Sequence, residues 1–171
     1  MLRQVKDYTL NMDDLLGRGG FGYVYKAEKE GKTYAAKRLI LERPRALDEL
    51  WKSFLLPVHR NIIEVTDIFH ESPDYWIIMK FCDGGDICQF FQRYGPISEE
   101  ICFNFMYQIS SAIKFLHSRN VVHRDIKPEN VLVDGNIDNF IIKITDFGLA
   151  KFLVEDETSL MSTDVGTRWY K

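Results

Sequence analysis

The chain has 171 residues, 46% of them hydrophobic and 13% aromatic, which is enough for a packed core and argues against disorder. Lys and Arg number 22 against 25 Asp and Glu, a net charge of −3 with no long run of one sign, so nothing points to nucleic acid. No apolar stretch approaches the ~18 residues that cross a bilayer, and the N-terminus, Met1-Leu2-Arg3-Gln4-Val5-Lys6, lacks a signal-peptide core.

Residues 8–41 read as strands and tight turns. Glycines at 17–22 are followed by the strand Tyr23-Val24-Tyr25-Lys26-Ala27, a turn at Lys29-Glu30-Gly31-Lys32 and a second strand over 33–40. Residues 44–56 carry Leu47, Leu50, Trp51 and Phe54 at helical spacing. Strands are expected at 62–69 and 75–81, with Ser72-Pro73-Asp74 as the turn. Beyond Gly84-Gly85 the period becomes helical. Ser98 is a good N-cap for a long helix with Ile101, Phe105, Ile109, Ile113 and Leu116 on one face, ending near Arg119-Asn120. Short extended pieces follow at 131–133 and 141–145, around a turn at Asp134-Gly135-Asn136. Cys82, Cys88 and Cys102 are odd in number and lack metal-ligand spacing, as expected of reduced thiols in an intracellular protein, cytoplasmic or nuclear.

Three segments carry chemistry. Gly17-Arg18-Gly19-Gly20-Phe21-Gly22-Tyr23-Val24 fits G-x-G-x-x-G-x-V, in which glycines let backbone amides approach phosphates. A dinucleotide-binding loop shares that spacing, but it opens a helix, whereas here strand and hairpin follow, and no Gly-Lys-Ser/Thr marks a Walker loop. His123-Arg124-Asp125-Ile126-Lys127-Pro128-Glu129-Asn130 gathers a carboxylate, a cation and an amide oxygen. Asp146-Phe147-Gly148 adds a second carboxylate on a Gly-flexible turn. Such groups suit a site that holds Mg²⁺ and steers a hydroxyl onto a phosphoryl group.

With Lys37 in Ala35-Ala36-Lys37, these segments resemble the signature set of eukaryotic-type Ser/Thr protein kinases, in the same chain order, from about Leu10 to the last residue. The resemblance implies an α+β, bilobal fold: a β-rich N-lobe with one helix at 1–82, and an incomplete helical C-lobe at 83–171. It implies an enzyme that transfers the γ-phosphoryl group of ATP, with Mg²⁺, to Ser or Thr hydroxyls of a protein substrate. No nucleic acid or membrane partner is expected.

The resemblance also assigns roles. Gly17, Gly19 and Gly22 would cover the phosphates, and Lys37 would touch them. Val24, Ala35 and Leu132 would enclose adenine, with Met79 as gatekeeper and Lys80, Phe81 and Cys82 as hinge. Cys82 either faces that pocket or is a plain buried thiol. Asp86 could accept from a ribose hydroxyl. Glu49, with Asp48 beside it, is the acidic partner chosen for Lys37, although it lies one residue further from His59 than is common in the family. Asp125 would orient the acceptor hydroxyl, Lys127 would steady the γ-phosphate, and Asn130 and Asp146 would hold Mg²⁺. His123 and Phe147 read as structural, stacked in a column with Val65 and a residue near Phe54. Thr163, with Ser162 second, is the expected site for an upstream activating kinase, with Arg124 and Lys151 as phosphate partners. Thr167, in Gly166-Thr167, would order the loop against Asp125 and Lys127.

Residues 134–140 form a longer turn than the family usually has, expected to extend a surface hairpin. The chain stops at Arg168-Trp169-Tyr170-Lys171, before the family's Ala-Pro-Glu motif. A truncated gene model or partial transcript is the simplest expectation, and lost apolar cover over the long helix would cost roughly 5–10 kcal/mol. The competing reading is therefore an inactive nucleotide- or partner-binding fragment. A small-molecule kinase is disfavoured by Lys127-Pro128-Glu129-Asn130 and Gly166-Thr167.

Overall fold

A computed structural model describes residues 1–19, 22–40, 52, 55 and 58–152. The expected helix over 44–56, with Asp48, Glu49 and Phe54, lies largely outside the described residues, as do Ser162, Thr163, Gly166 and Thr167. The chain divides into two compact units. One comprises Met1–Leu56 and Glu64–Phe81, the other Pro57–Ile63 and Cys82–Lys171.

The first unit is an antiparallel six-stranded sheet in the order β1-β2-β3-β4-β6-β5. Its strands are β1 (Leu2–Val5), β2 (Tyr8–Arg18), β3 (Gly22–Lys29), β4 (Lys32–Leu39), β5 (Val65–Glu71) and β6 (Asp74–Lys80). The expected strand over 62–69 begins only at Val65, because Ile62 belongs to the other unit. Strand β1, absent from the expectation that strands begin at residue 8, joins β2 through a two-residue turn at Lys6-Asp7. Glu30 and Gly31, at φ +50° and +74°, make the two-residue connection between β3 and β4 that matches strand twist. One face of the sheet buries Val5, Tyr8, Leu10, Tyr25, Ala27, Ala36, Trp76 and Ile78 as a single cluster. Arg3 on β1 pairs with Asp74 of β6 (3.2 Å), and Lys6 reaches Asp67 of β5 (2.8 Å). Side chains thus join strands from opposite ends of the sheet order.

The second unit holds α1 (Ile87–Tyr94) and α2 (Glu99–Ser118). It also holds a three-stranded sheet, ordered β10-β9-β7, of β7 (Gly85–Asp86), β9 (Val131–Asn136) and β10 (Asn139–Ile144). A two-stranded pair joins β8 (Val121–Val122) to β11 (Lys151–Phe152). Asp86 and Gln89 form a reciprocal capping box on α1. Ser98 caps α2 as expected, accepting from the Ile101 amide at 3.3 Å, and Glu99 and Glu100 complement the helix dipole. The buried stripe of α2 is Phe105, Gln108, Ala112 and Leu116, while Ile101, Ile109 and Ile113 are half-buried. The stripe is rotated from the expected face because the Gln108 amide has partners on β10. Phe105 stacks on Phe140 (4.3 Å), with Phe90 edge-on to Phe105.

The expected turn at Asp134-Gly135-Asn136 is strand instead. Gly135, at φ +107°, stays in register opposite Phe140, and the turn falls at Ile137-Asp138. Asn136 Oδ1 shapes it by accepting from the amides of Asp138 (3.0 Å) and Asn139 (3.1 Å). Among the described residues no helix is long and apolar enough to cross a membrane.

Candidate active site

In the first unit the candidate nucleotide-binding residues are gathered by strand register. Val24 lies opposite Lys37, Ala35 opposite Met79, and Gly17 opposite Val24. Paired residues share a face and alternate residues along a strand return to it. Val24, Ala35, Lys37 and Met79 therefore lie on one face, with Tyr25, Ala36 and Ile78 on the other, in the core cluster. Lys37 is only 5% exposed. Gly19 donates its amide to the Gly22 carbonyl at 2.9 Å. At Gly22 a Cβ would fall 2.0 Å from the Arg38 carbonyl oxygen, so the close approach of β4 requires glycine; at Gly17 a Cβ would meet nothing within 4 Å. Phe81 receives the Lys26 ammonium over its ring at 5.8 Å.

In the second unit the loop that carries the candidate catalytic residues runs from β8 through His123 into a short 3-10 helix at Pro128–Asn130 and then β9. Asp125 is buried, and one carboxylate oxygen, Oδ2, accepts from Lys127 Nζ and Asn130 Nδ2, both at 3.0 Å. Asn130 Nδ2 also donates to the Asp125 carbonyl at 2.8 Å. These two bonds fix the amide's rotamer and leave its Oδ1 as the hard oxygen of the group.

The loop is tied to the Asp146 arm by backbone. Thr145 donates its amide to the Asn130 carbonyl (2.9 Å), and its own carbonyl meets His123 Nε2 (2.9 Å). His123 Nδ1 accepts from the Asp125 amide at 3.2 Å, which places the ring proton on Nε2. Both ring nitrogens thus serve the backbone, and the ring meets Phe147 edge-on at 4.8 Å. This is the structural role expected for His123. Burial pushes its pKa below the ordinary histidine value, against the Thr145 bond and the nearby carboxylates of Asp146 and Asp125. Asp146 takes the left-handed conformation (φ +63°), which Asp tolerates better than most residues, at the head of the 3-10 turn Phe147–Leu149.

Asn130 and Asp146 supply the oxygen ligands that Mg²⁺ prefers. Among the described residues no group of three or more His, Cys, Asp or Glu could hold a metal ion. A carboxamide and a carboxylate oxygen are donor types that Mg²⁺ accepts together with phosphate and water. Arg124, at φ +66°, donates from Nε to the Leu149 carbonyl at 2.8 Å. Val122, two positions before it, pairs with Lys151. Cys82 is buried, Leu132 is half-buried, and Asp86 Oδ1 is engaged as the cap of α1, accepting from Gln89 N at 2.9 Å.

The structure adds residues that the sequence did not single out. Thr145 links the His123–Asn130 loop to the Asp146 segment, and Asn61 and Gln108 are buried amides bonded to each other at 2.8 Å. The available signal for Gln108 was a polar residue inside the apolar stripe of a helix.

The family model described as "Protein kinase domain" matches residues 10–171. The chain is 35% identical over 176 residues to serine/threonine-protein kinase RAD53 of Saccharomyces cerevisiae, covering 96% of this chain and 20% of that protein. It is 34% identical over 182 residues to serine/threonine-protein kinase atg1 of Dictyostelium discoideum (99% and 27%). It is 34% identical over 169 residues to mitogen-activated protein kinase 4 of Arabidopsis thaliana (91% and 43%). The chain thus spans less than half the length of these relatives.

Proposed function

Because the chain belongs to the protein kinase family, we propose that it carries ATP- and Mg²⁺-dependent phosphotransferase activity toward Ser or Thr hydroxyls of a protein substrate. The observation that carries this reading is the bonded triad of Asp125, Lys127 and Asn130, tied through Thr145 to Asp146. The names of the similar yeast and Dictyostelium proteins support the choice of Ser and Thr.

On this reading the acceptor hydroxyl hydrogen-bonds to Asp125, which takes its proton as the oxygen attacks the γ-phosphorus. The bond to the β,γ-bridging oxygen breaks, and ADP leaves with that oxygen's electron pair. Such reactions depend mainly on positioning and charge neutralisation. Lys127 sits beside Asp125 and steadies the γ-phosphate. Lys37 holds the α- and β-phosphates, with Glu49 as its acidic partner, under the cover of Gly17, Gly19 and Gly22. Val24, Ala35, Met79 and Leu132 enclose adenine, and Phe81 and Cys82 provide backbone groups to its edge. The second carboxylate oxygen of Asp86 accepts from ribose. Mg²⁺, held by Asn130 and Asp146, would neutralise phosphate charge. Thr163, or Ser162, is the regulatory phosphosite for an upstream kinase, read by Arg124 and by Lys151, whose strand partner Val122 lies two residues before Arg124.

The test is transfer of labelled phosphate from MgATP to a mixed Ser/Thr peptide pool. Activity in the wild type and its loss in Asp125→Asn, with nucleotide binding retained, supports the proposal. Binding without transfer would favour a nucleotide-binding fragment.

A further inference from the structure

β10 ends two residues before Asp146, and among the described strands it pairs with β9 alone, its other side meeting just an isolated bridge between Ile144 and Ile62. Its backbone groups at Phe140, Ile142 and Ile144 face the other side, where an unpaired edge would be expected. Five of these six N–H and C=O groups have partners. Gln108 Nε2 donates to the Phe140 carbonyl (3.4 Å), and Gln108 Oε1 accepts from the Ile142 amide (3.0 Å). Asn61 Nδ2 donates to the Ile142 carbonyl (3.1 Å). The Asn61 carbonyl accepts from the Ile144 amide, and the Ile63 amide donates to the Ile144 carbonyl, both at 2.9 Å. Two side-chain amides and a three-residue segment therefore stand in for a missing strand. Gln108, 9% exposed, is held by Asn104 Oδ1 (3.0 Å) and by Asn61 Nδ2 (2.8 Å).

A strand bonded on both edges cannot slide or twist without breaking buried hydrogen bonds, and a buried amide left unpaired is costly. The next residue, Thr145, bonds to Asn130 and His123, and Asp146 follows directly. We propose that Gln108 is a positioning residue for Asp146: by replacing a strand neighbour of β10, it sets where the metal-binding carboxylate is presented. The inference rests on the kinase reading of Asp146. It assigns Gln108 no contact with nucleotide or metal.

The distinguishing readout is ATP affinity by titration calorimetry, with saturating Mg²⁺ and again in EDTA, for the 171-residue chain. Gln108→Met keeps the volume and loses every hydrogen bond. Groups that orient a metal ligand typically tune metal affinity by about 10–100-fold. The expected result is roughly a tenfold loss of MgATP affinity, with affinity in EDTA unchanged and faster hydrogen exchange at Ile142 and Ile144. Should that variant not fold, Gln108→Glu keeps the accepted bonds, loses the donated ones, and should show a smaller loss with the same dependence on metal. Equal losses with and without Mg²⁺, or no loss, overturn the positioning role. A wild type whose ATP affinity ignores Mg²⁺ overturns the kinase reading itself, and this inference with it.

Discussion

The side-chain amide of Asn130 donates twice to Asp125, to its carbonyl at 2.8 Å and to its carboxylate at 3.0 Å. The amide thereby orients the candidate base, and in the proposed metal site its oxygen would also be a ligand, two tasks that a single substitution separates. Asn130→Asp keeps the metal oxygen but turns the donor into a second acceptor facing Asp125. Leaving buried groups unpaired costs about 1–3 kcal/mol. Urea unfolding in EDTA should show a loss of that size, and an unchanged midpoint would mean that the amide does not hold Asp125.

The two carboxylates should fail differently. Asp125→Asn is expected to lower kcat by roughly 10²–10⁴, the usual contribution of a positioned base, while MgATP still raises the melting temperature. Asp146→Asn is expected to abolish that rise. A full MgATP shift in the Asp146 variant would remove Asp146 from the metal site.

His123 gives the fold a defined acid sensitivity. Its pKa in the folded chain lies below the ordinary 6.5 because burial disfavours the charged ring. Above that value the ring is neutral in both folded and unfolded chains and contributes no pH dependence. As pH falls below it, the unfolded chain takes up the proton first, so stability falls with falling pH until the folded-state pKa is passed. Denaturant unfolding between pH 7.5 and 5 should show this slope in the wild type. It should be shallower in His123→Asn. Equal slopes would mean that another group sets the acid limit.

The glycine segment offers a paired comparison. Gly22→Ala forces a Cβ onto the Arg38 carbonyl oxygen and should destabilise by about 1–3 kcal/mol, the range for overpacked sites. Gly17→Ala meets open space and should leave the melting temperature nearly unchanged. Similar shifts for both would contradict the β3–β4 register.

What the sequence made legible was local. Asp125, Lys127 and Asn130 lie in one loop, and their roles in the bonded cluster follow from residue type and order. The pairing of Asn61 with Gln108 spans 47 residues, and single amides have no periodicity to read. The hairpin was half-read. Asp134-Gly135-Asn136 looks like a turn, yet Gly135 can hold strand register at φ +107°, and the next two residues turn because Asn136 folds its oxygen over them. The left-handed backbone of Asp146 and Arg124 is likewise imposed by surrounding bonds that no local pattern announces.

Strand β1 bears on where the folding unit begins. The kinase family model takes up the chain at residue 10, yet Val5 and Tyr8 are fully or almost fully buried beside Trp76, and Arg3 and Lys6 fasten them to Asp74 and Asp67. A protein trimmed to the matched stretch would keep its signature residues and expose the interior they are mounted on. In this chain, the unit that folds is longer than the unit that family likeness marks out.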